Sequence, residues 1–157
     1  MNKTIILIPS RLAATRLPNK PLLKINNLSI INHVYQRAIS ADIGDVYVAT
    51  GDVEIYKNVT ENGGNCVLTE MEHQTGTDRI NEAFKKLNLN NIDYIINLQG
   101  DEPMINVKDV INLNNKAIKK KSDLATLACV IKDRAILNKS NIVKVITEED
   151  LQKVHTS

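Results

Sequence analysis

A chain of 157 residues with 43% hydrophobic and 24% charged residues has the length and composition of one soluble domain with an aliphatic core. A net charge of +2 and only 3% aromatic residues argue against a dedicated nucleic-acid binder, which needs a basic face and stacking side chains. No apolar stretch reaches the roughly 20 residues that span a bilayer, and Pro9 breaks the first apolar run too soon for a signal peptide. A cytoplasmic protein without membrane partners is therefore expected.

Thr4 to Pro9 is nearly continuously apolar and predicts a central parallel strand covered on both faces. It runs into S-R-L-A-A-T-R-L-P-N-K-P, Ser10 to Pro21, where Pro9, Pro18 and Pro21 exclude a continuous helix. What remains is an irregular loop bearing Arg11, Arg16 and Lys20. Leu22 to Ile25 reads as a short extended piece that ends in the Asn26-Asn27 turn. Ser29 is placed to cap a helix through Ala41, whose Ile30, Ile31, Val34, Ala38 and Ile39 form a stripe at helical spacing. Asp45 to Thr50 predicts a second strand, and after Gly51 a helix runs from Val53 towards Glu61 and stops at Gly63-Gly64.

Asn65 to Thr69 predicts a third strand. In the polar segment that follows, Thr77 is read as the cap of a helix from Asp78 to Leu87, with Ile80, Ala83, Phe84 and Leu87 facing inward. Asp93 to Leu98 is the fourth buried strand and leads directly into Q-G-D-E-P. Asn106 caps a helix from Val107 to Lys120. Leu124 to Ile131 and Asn141 to Thr147 read as two further strands, joined by a short helical segment around Ala135 to Asn138. Cys66 and Cys129 lie far apart in β-like apolar runs without a second ligand at metal spacing, so both read as reduced, buried thiols.

The alternation of strand and helix predicts an α/β fold with a mainly parallel sheet flanked by helices. Its strands deliver three polar segments to one edge: Ser10 to Lys20, Thr75 to Arg79, and Gln99 to Glu102. Carboxyl ends of strands are where open α/β sheets bind ligands, and clustered cations there suit a polyphosphate. The same cations also read as ordinary solvated loop charges. Asp101 is a hard oxygen ligand suited to Mg²⁺, which takes one or two carboxylates together with substrate phosphates. Taken alone, Asp101 and Glu102 are turn residues before Pro103; their place opposite a basic loop favours a ligand role for Asp101. Neither a G-x-x-x-x-G-K-[ST] phosphate loop nor a G-x-G-x-x-G turn is present. His33 reads as structural or exposed, and His73, just before T-G-T-D-R, as a lone loop histidine near the polar edge.

Three motifs in order, I-P-S-R-L-A-A-T-R-L-P-N-K-P-L, H-Q-T-G-T-D-R and N-L-Q-G-D-E-P, resemble the 3-deoxy-manno-octulosonate cytidylyltransferases, the CMP-KDO synthetase family, from Thr4 to about Thr147. The resemblance implies a Rossmann-like nucleotidyltransferase domain over residues 1–157. Such a domain is expected to bind CTP and Mg²⁺ and to transfer CMP to the sugar acid KDO, releasing pyrophosphate, for lipopolysaccharide biosynthesis. By motif position, Arg11, Arg16 and Lys20 are expected to grip the triphosphate, and Gly76, Thr77 and Arg79 to line the nucleotide site. Gln99 is expected to face the sugar and Asp101 to coordinate Mg²⁺, with Arg16, Lys20 and Asp101 as the catalytic group. No general base stands out among them.

The chain also departs from the family pattern. Ala14 stands where the family usually has Ser, Asn19 where it has Gly, Gly51 where it has Asp, and Asn27-Leu28-Ser29 where it has G-K-P. Family members continue beyond the match, through a region with a second metal-binding Asp, much of the sugar pocket and homodimer contacts. The domain is accordingly expected to be incomplete at its C-terminus, and this chain alone to bind nucleotide better than it turns over. Two alternatives stay open: a non-catalytic nucleotide-binding remnant, and a cytidylyltransferase for another acidic sugar such as a sialic acid. The T-R-L-P-N-K-P-L form favours KDO over the latter.

Overall fold

The computed structural model describes residues 3–13, 17–139 and 142–145. Strand β1 (Thr4–Ser10) is followed by a single 3₁₀ turn (Lys20–Leu22) and by a ribbon of β2 (Lys24–Ile25) and β3 (Leu28–Ser29). Then come α1 (Ile30–Ile39), β4 (Val46–Thr50), α2 (Val53–Glu61), β5 (Cys66–Leu68), α3 (Gly76–Leu87), β6 (Tyr94–Asn97), α4 (Val107–Lys120) and α5 (Arg134–Leu137). The chain divides into two compact units, 1–125 and 126–157; the first holds both sheets and α1 to α4, the second α5.

The main sheet has the order β5-β4-β1-β6 and every pairing in it is parallel. Strand periodicity sorts β1 between two layers. Ile6 and Ile8 pack with Ile31 and Val34 of α1, Ile55 and Val59 of α2 and Val110 of α4, whereas Ile5 and Leu7 meet Ile80 and Phe84 of α3. All four β1 side chains are fully buried, each worth about 1.5–3 kcal/mol of apolar transfer. The uninterrupted apolar run is thus the mark of a strand covered on both faces.

Local chemistry sets the element ends. Asn26 and Asn27 both take positive φ, 48° and 67°, as a tight two-residue hairpin between β2 and β3 requires. Helix α3 starts earlier than expected: Thr75, not Thr77, is the cap. Its hydroxyl accepts from the Asp78 amide while the Asp78 carboxylate accepts from the Thr75 amide, so the capping box selects the first threonine of T-G-T-D. Leu22 belongs to the 3₁₀ turn rather than to an extended piece, because Pro21 presets a helical φ there.

Two expected strands are corrected. Residues 124–131 form no strand, nor do 142–145, and the rest of the second stretch lies outside the described residues. Leu124 and Val143 are about nine-tenths exposed. A β-like apolar pattern reports fitness for a half-buried pleated surface, and without a paired neighbour it does not make a strand. Cys129 in the same stretch is exposed, against the expectation of burial, while Cys66 on β5 is half-buried and burial pushes its thiol pKa up to about 12.

Candidate active site

The chain leaves β1, adds β4 and β5 on one side, and returns to add β6 on the other. That reversal lies between β1 and β6, and a crevice opens beyond the carboxyl ends of the two strands. The cleft there encloses about 650 Å³. Two glycines shape its floor. A Cβ on Gly100 would stand 2.8 Å from the Pro9 carbonyl oxygen, and one on Gly76 would stand 3.3 Å from Pro9 Cγ, so both loops close tightly on the end of β1.

The basic loop after β1 forms one wall. Its Leu12 amide donates to Asp52 Oδ2 at 2.9 Å, and Asp52, just before α2, is itself fixed by its amide donating to Thr50 Oγ1. Asn19 closes the loop in the left-handed region, φ 57°, where the family usually has Gly. Lys20 Nζ then reaches Asp101 Oδ2 at 2.7 Å, an ion pair in which the two side chains keep 33% and 56% of their exposure. Such a partly solvated pair adds only about 0–1 kcal/mol to stability. It can therefore be exchanged for stronger partners at little cost.

The segment from Thr69 to Arg79 forms another wall and is held far more firmly. Arg79 is 3% exposed, and its Nη1 donates to Thr69 Oγ1 and to the Glu70 carbonyl, while Nη2 donates to the Met71 carbonyl at 3.0 Å. Burial, assisted by nearby Arg11, lowers the Arg79 pKa; Asp52 and Glu82 oppose that shift. Gly51 admits the same backbone, since a Cβ there would lie 2.6 Å from Met71 Cα. From α3, the Glu82 carboxylate accepts from the Glu70 amide, from Lys86 Nζ at 2.7 Å and pairs with His73 Nε2 at 2.6 Å. Partial burial works to raise the Glu82 carboxyl, but Lys86, the Glu70 amide and His73 together leave it below the usual carboxylate range.

Arg11, Lys20, Gly76, Arg79, Gln99 and Asp101 line this one cleft. Thr77 sits exposed in the first turn of α3 and is not among the lining residues; Arg16 and Ala14 lie outside the described residues. Gln99 donates from Nε2 to Asn97 Oδ1 at 3.1 Å and is otherwise exposed. The sequence reading missed Asp52 and the Glu82 partner of His73. Asp52 carried a usable signal, an acid between a strand end and a helix start; the nine-residue separation of His73 and Glu82 carried none. Among the described residues no three His, Cys, Asp or Glu side chains cluster as metal ligands. Exposed Asp101 instead offers one hard carboxylate at the mouth of a cationic cleft, a donor set of the kind Mg²⁺ shares with phosphates and water.

Comparison with known proteins finds relatives named as cytidylyltransferases. A 3-deoxy-manno-octulosonate cytidylyltransferase of Rhodopseudomonas palustris is 46% identical over 149 residues, covering 92% of this chain and 59% of that protein. An 8-amino-3,8-dideoxy-manno-octulosonate cytidylyltransferase of Shewanella pealeana is 41% identical over 161 residues, covering 100% of this chain and 65% of that protein. The solved structure of a CMP:2-keto-3-deoxy-manno-octonic acid synthetase complexed with CTP superposes with a TM-score of 0.72 at 41% identity, covering 77% of this chain and 49% of the other. The chain thus spans about three-fifths of the length of the curated relatives it matches. The family model described as cytidylyltransferase matches residues 5–156, and this chain belongs to the cytidylyltransferase family.

Proposed function

We propose that this chain forms the nucleotide-binding part of an enzyme that transfers CMP from CTP to KDO with release of pyrophosphate. The observation that carries the reading is the meeting of Lys20 and Asp101, 81 residues apart in sequence, with Arg11 and Gln99 in one cleft at the sheet's reversal. In this reading Arg11, Arg16 and Lys20 hold the triphosphate, Gly76 and Arg79 border the nucleotide while Thr77, outside the cleft lining, begins α3 beside them, and Gln99 turns to the sugar acid. Arg79 has most of its donors committed to its own wall, so its role is mainly to hold that wall in shape.

Asp101 would hold Mg²⁺, which when bound polarises phosphoryl oxygens as a Lewis acid. Triphosphate and metal together offer Lys20 and Asp101 better partners than each other, so the ion pair acts as a placeholder that the substrate replaces. The bond that forms joins the anomeric oxygen of KDO to the α-phosphorus, its hydroxyl proton passing to solvent; the bond that breaks, from the α-phosphorus to the bridging oxygen, frees pyrophosphate with its electron pair. Lys20 and Arg16 are suited to stabilise charge growing on the phosphate oxygens and the leaving group. The reading carries with it a cytoplasmic site of action and a product destined for lipopolysaccharide, and a family-type homodimer whose contacts would come from the region beyond the match.

A second acceptor, the 8-amino sugar, is favoured by the relative from Shewanella pealeana that matches the whole chain. Calorimetric titration of this chain with CTP, ATP and NAD, each with Mg²⁺, is expected to show CTP bound most tightly; equal binding of ATP would contradict the reading. CMP-sugar formation with KDO, its 8-amino analogue and a sialic acid then identifies the acceptor.

A further inference from the structure

We infer that the Ser10 hydroxyl is a hydrogen-bonding contact for the nucleoside part of the bound nucleotide, an inference that rests on the cleft being the CTP site. Ser10 ends β1, pairs in register with Thr50 of β4, is 7% exposed and lines the cleft. Its Oγ is buried and has no hydrogen-bond partner among the described residues.

Among the described residues the other buried serine and threonine hydroxyls are all paired. Thr4 Oγ1 donates to Asn114 Oδ1, Ser29 Oγ donates to Asn58 Oδ1, Thr50 Oγ1 accepts from the Asp52 amide and Thr69 Oγ1 accepts from Arg79. Leaving one buried hydroxyl unpaired is unfavourable, and a chain that satisfies four of its kind leaves the fifth unpaired at the floor of its binding cleft. The economical explanation is that the partner arrives with the ligand.

Position identifies which part of the ligand that is. The charged groups Arg11, Lys20 and Asp101 are exposed or partly solvated and buried Arg79 is committed to its own wall, whereas the loops at Gly76 and Gly100 that close on Pro9 beside Ser10 carry no charge at those contacts. A triphosphate belongs with the cations, and a neutral sugar or base belongs on the uncharged floor. A serine hydroxyl both donates and accepts, so it can pair with a ribose hydroxyl or with the polar edge of a base.

Calorimetry with CTP, CMP and inorganic tripolyphosphate on the wild-type chain and on Ser10→Ala, beside thermal melts, tests the assignment. Ser10→Ala is expected to weaken CTP and CMP by the same factor, about 2- to 15-fold, as one neutral hydrogen bond is worth. It should leave tripolyphosphate unaffected and the ligand-free melting temperature unchanged or raised, because the lost group had no partner in the free protein. Ser10→Cys, of similar size but a weak donor, should follow Ala. A hydroxyl with only a structural role would lower the melting temperature and leave the affinities alone, and that result overturns the inference. So does a deficit that extends to tripolyphosphate. If the wild type binds CTP and Ser10→Ala binds it equally well, this contact alone falls. If the wild type binds neither CTP nor CMP, the functional reading falls and the contact with it.

Discussion

Two walls of the same cleft are built in different ways. Between Thr69 and Arg79 a buried guanidinium, an exposed capping box and a largely buried carboxylate shared by lysine and histidine fix the backbone through several mutual hydrogen bonds. On the loop after β1, Arg11 is exposed and Lys20 half-exposed, and among the described residues the ion-pair partner of Lys20 is the partly solvated Asp101. The polar networks of the first wall supply shape before any ligand arrives. Those of the second supply charge whose partner can be exchanged. In the function proposed above, stability and affinity are carried by separate sets of polar residues, although both sets read in sequence simply as polar groups near a strand end.

The largest effect expected from this contrast is on Arg79. Replacing it by Ala leaves the Thr69 hydroxyl and the Glu70 and Met71 carbonyls without their donor. A loss of about 3 kcal/mol or more in urea unfolding is expected from several buried groups left unpaired. Lys should restore little, since a single ammonium does not reproduce the forked geometry. A cost below about 1 kcal/mol would place Arg79 with the exchangeable charges.

Lys20→Ala sharpens the contrast from the other wall. Stability should change by less than about 1 kcal/mol, because the pair with Asp101 is partly solvated. CTP affinity should fall by about 1–3 kcal/mol, the range for a charge-assisted hydrogen bond. Equal affinity in wild type and variant, measured by calorimetry, would remove Lys20 from the site.

Much of this architecture was legible. The apolar run Ile5–Ile8 announced a doubly covered strand, and the motif around Gln99 to Asp101 was placed correctly at a strand end because β6 precedes it directly. What escaped were relations made by topology. The tie from Asp52 to the Leu12 amide joins loops after neighbouring strands, and the links of Glu82 to His73 and to the Glu70 amide depend on how the segment before α3 folds back on the helix. The apparent strand at 124–131 failed for the complementary reason: a pattern suited to a sheet does not supply the neighbouring strand.

Acid titration probes the firm wall more gently. The folded-state carboxyl of Glu82 lies below its ordinary pKa, so its stabilisation is present above the ordinary carboxylate range and is lost as pH falls through the folded value. Unfolding free energy should therefore decline on acidification more steeply in the wild type than in Glu82→Gln; parallel declines would show that this carboxylate does not tie the wall down. The smallest effect belongs to Asn19, which already tolerates φ 57°. Asn19→Gly should shift stability by no more than about 0.5 kcal/mol, whereas Asn19→Val, strained in the left-handed region, should cost about 1–2 kcal/mol in the same assay.

Hydrogen exchange on the wild-type chain, with and without CTP and Mg²⁺, tests the two-wall account most directly. Without nucleotide, amides from Thr69 to Arg79 should be the better protected, and on adding CTP the larger gain should fall on Leu12 and on Leu17 to Leu23. A gain confined to Thr69–Arg79, with the loop after β1 unchanged, would contradict the division of labour between a preformed wall and a wall that the nucleotide engages.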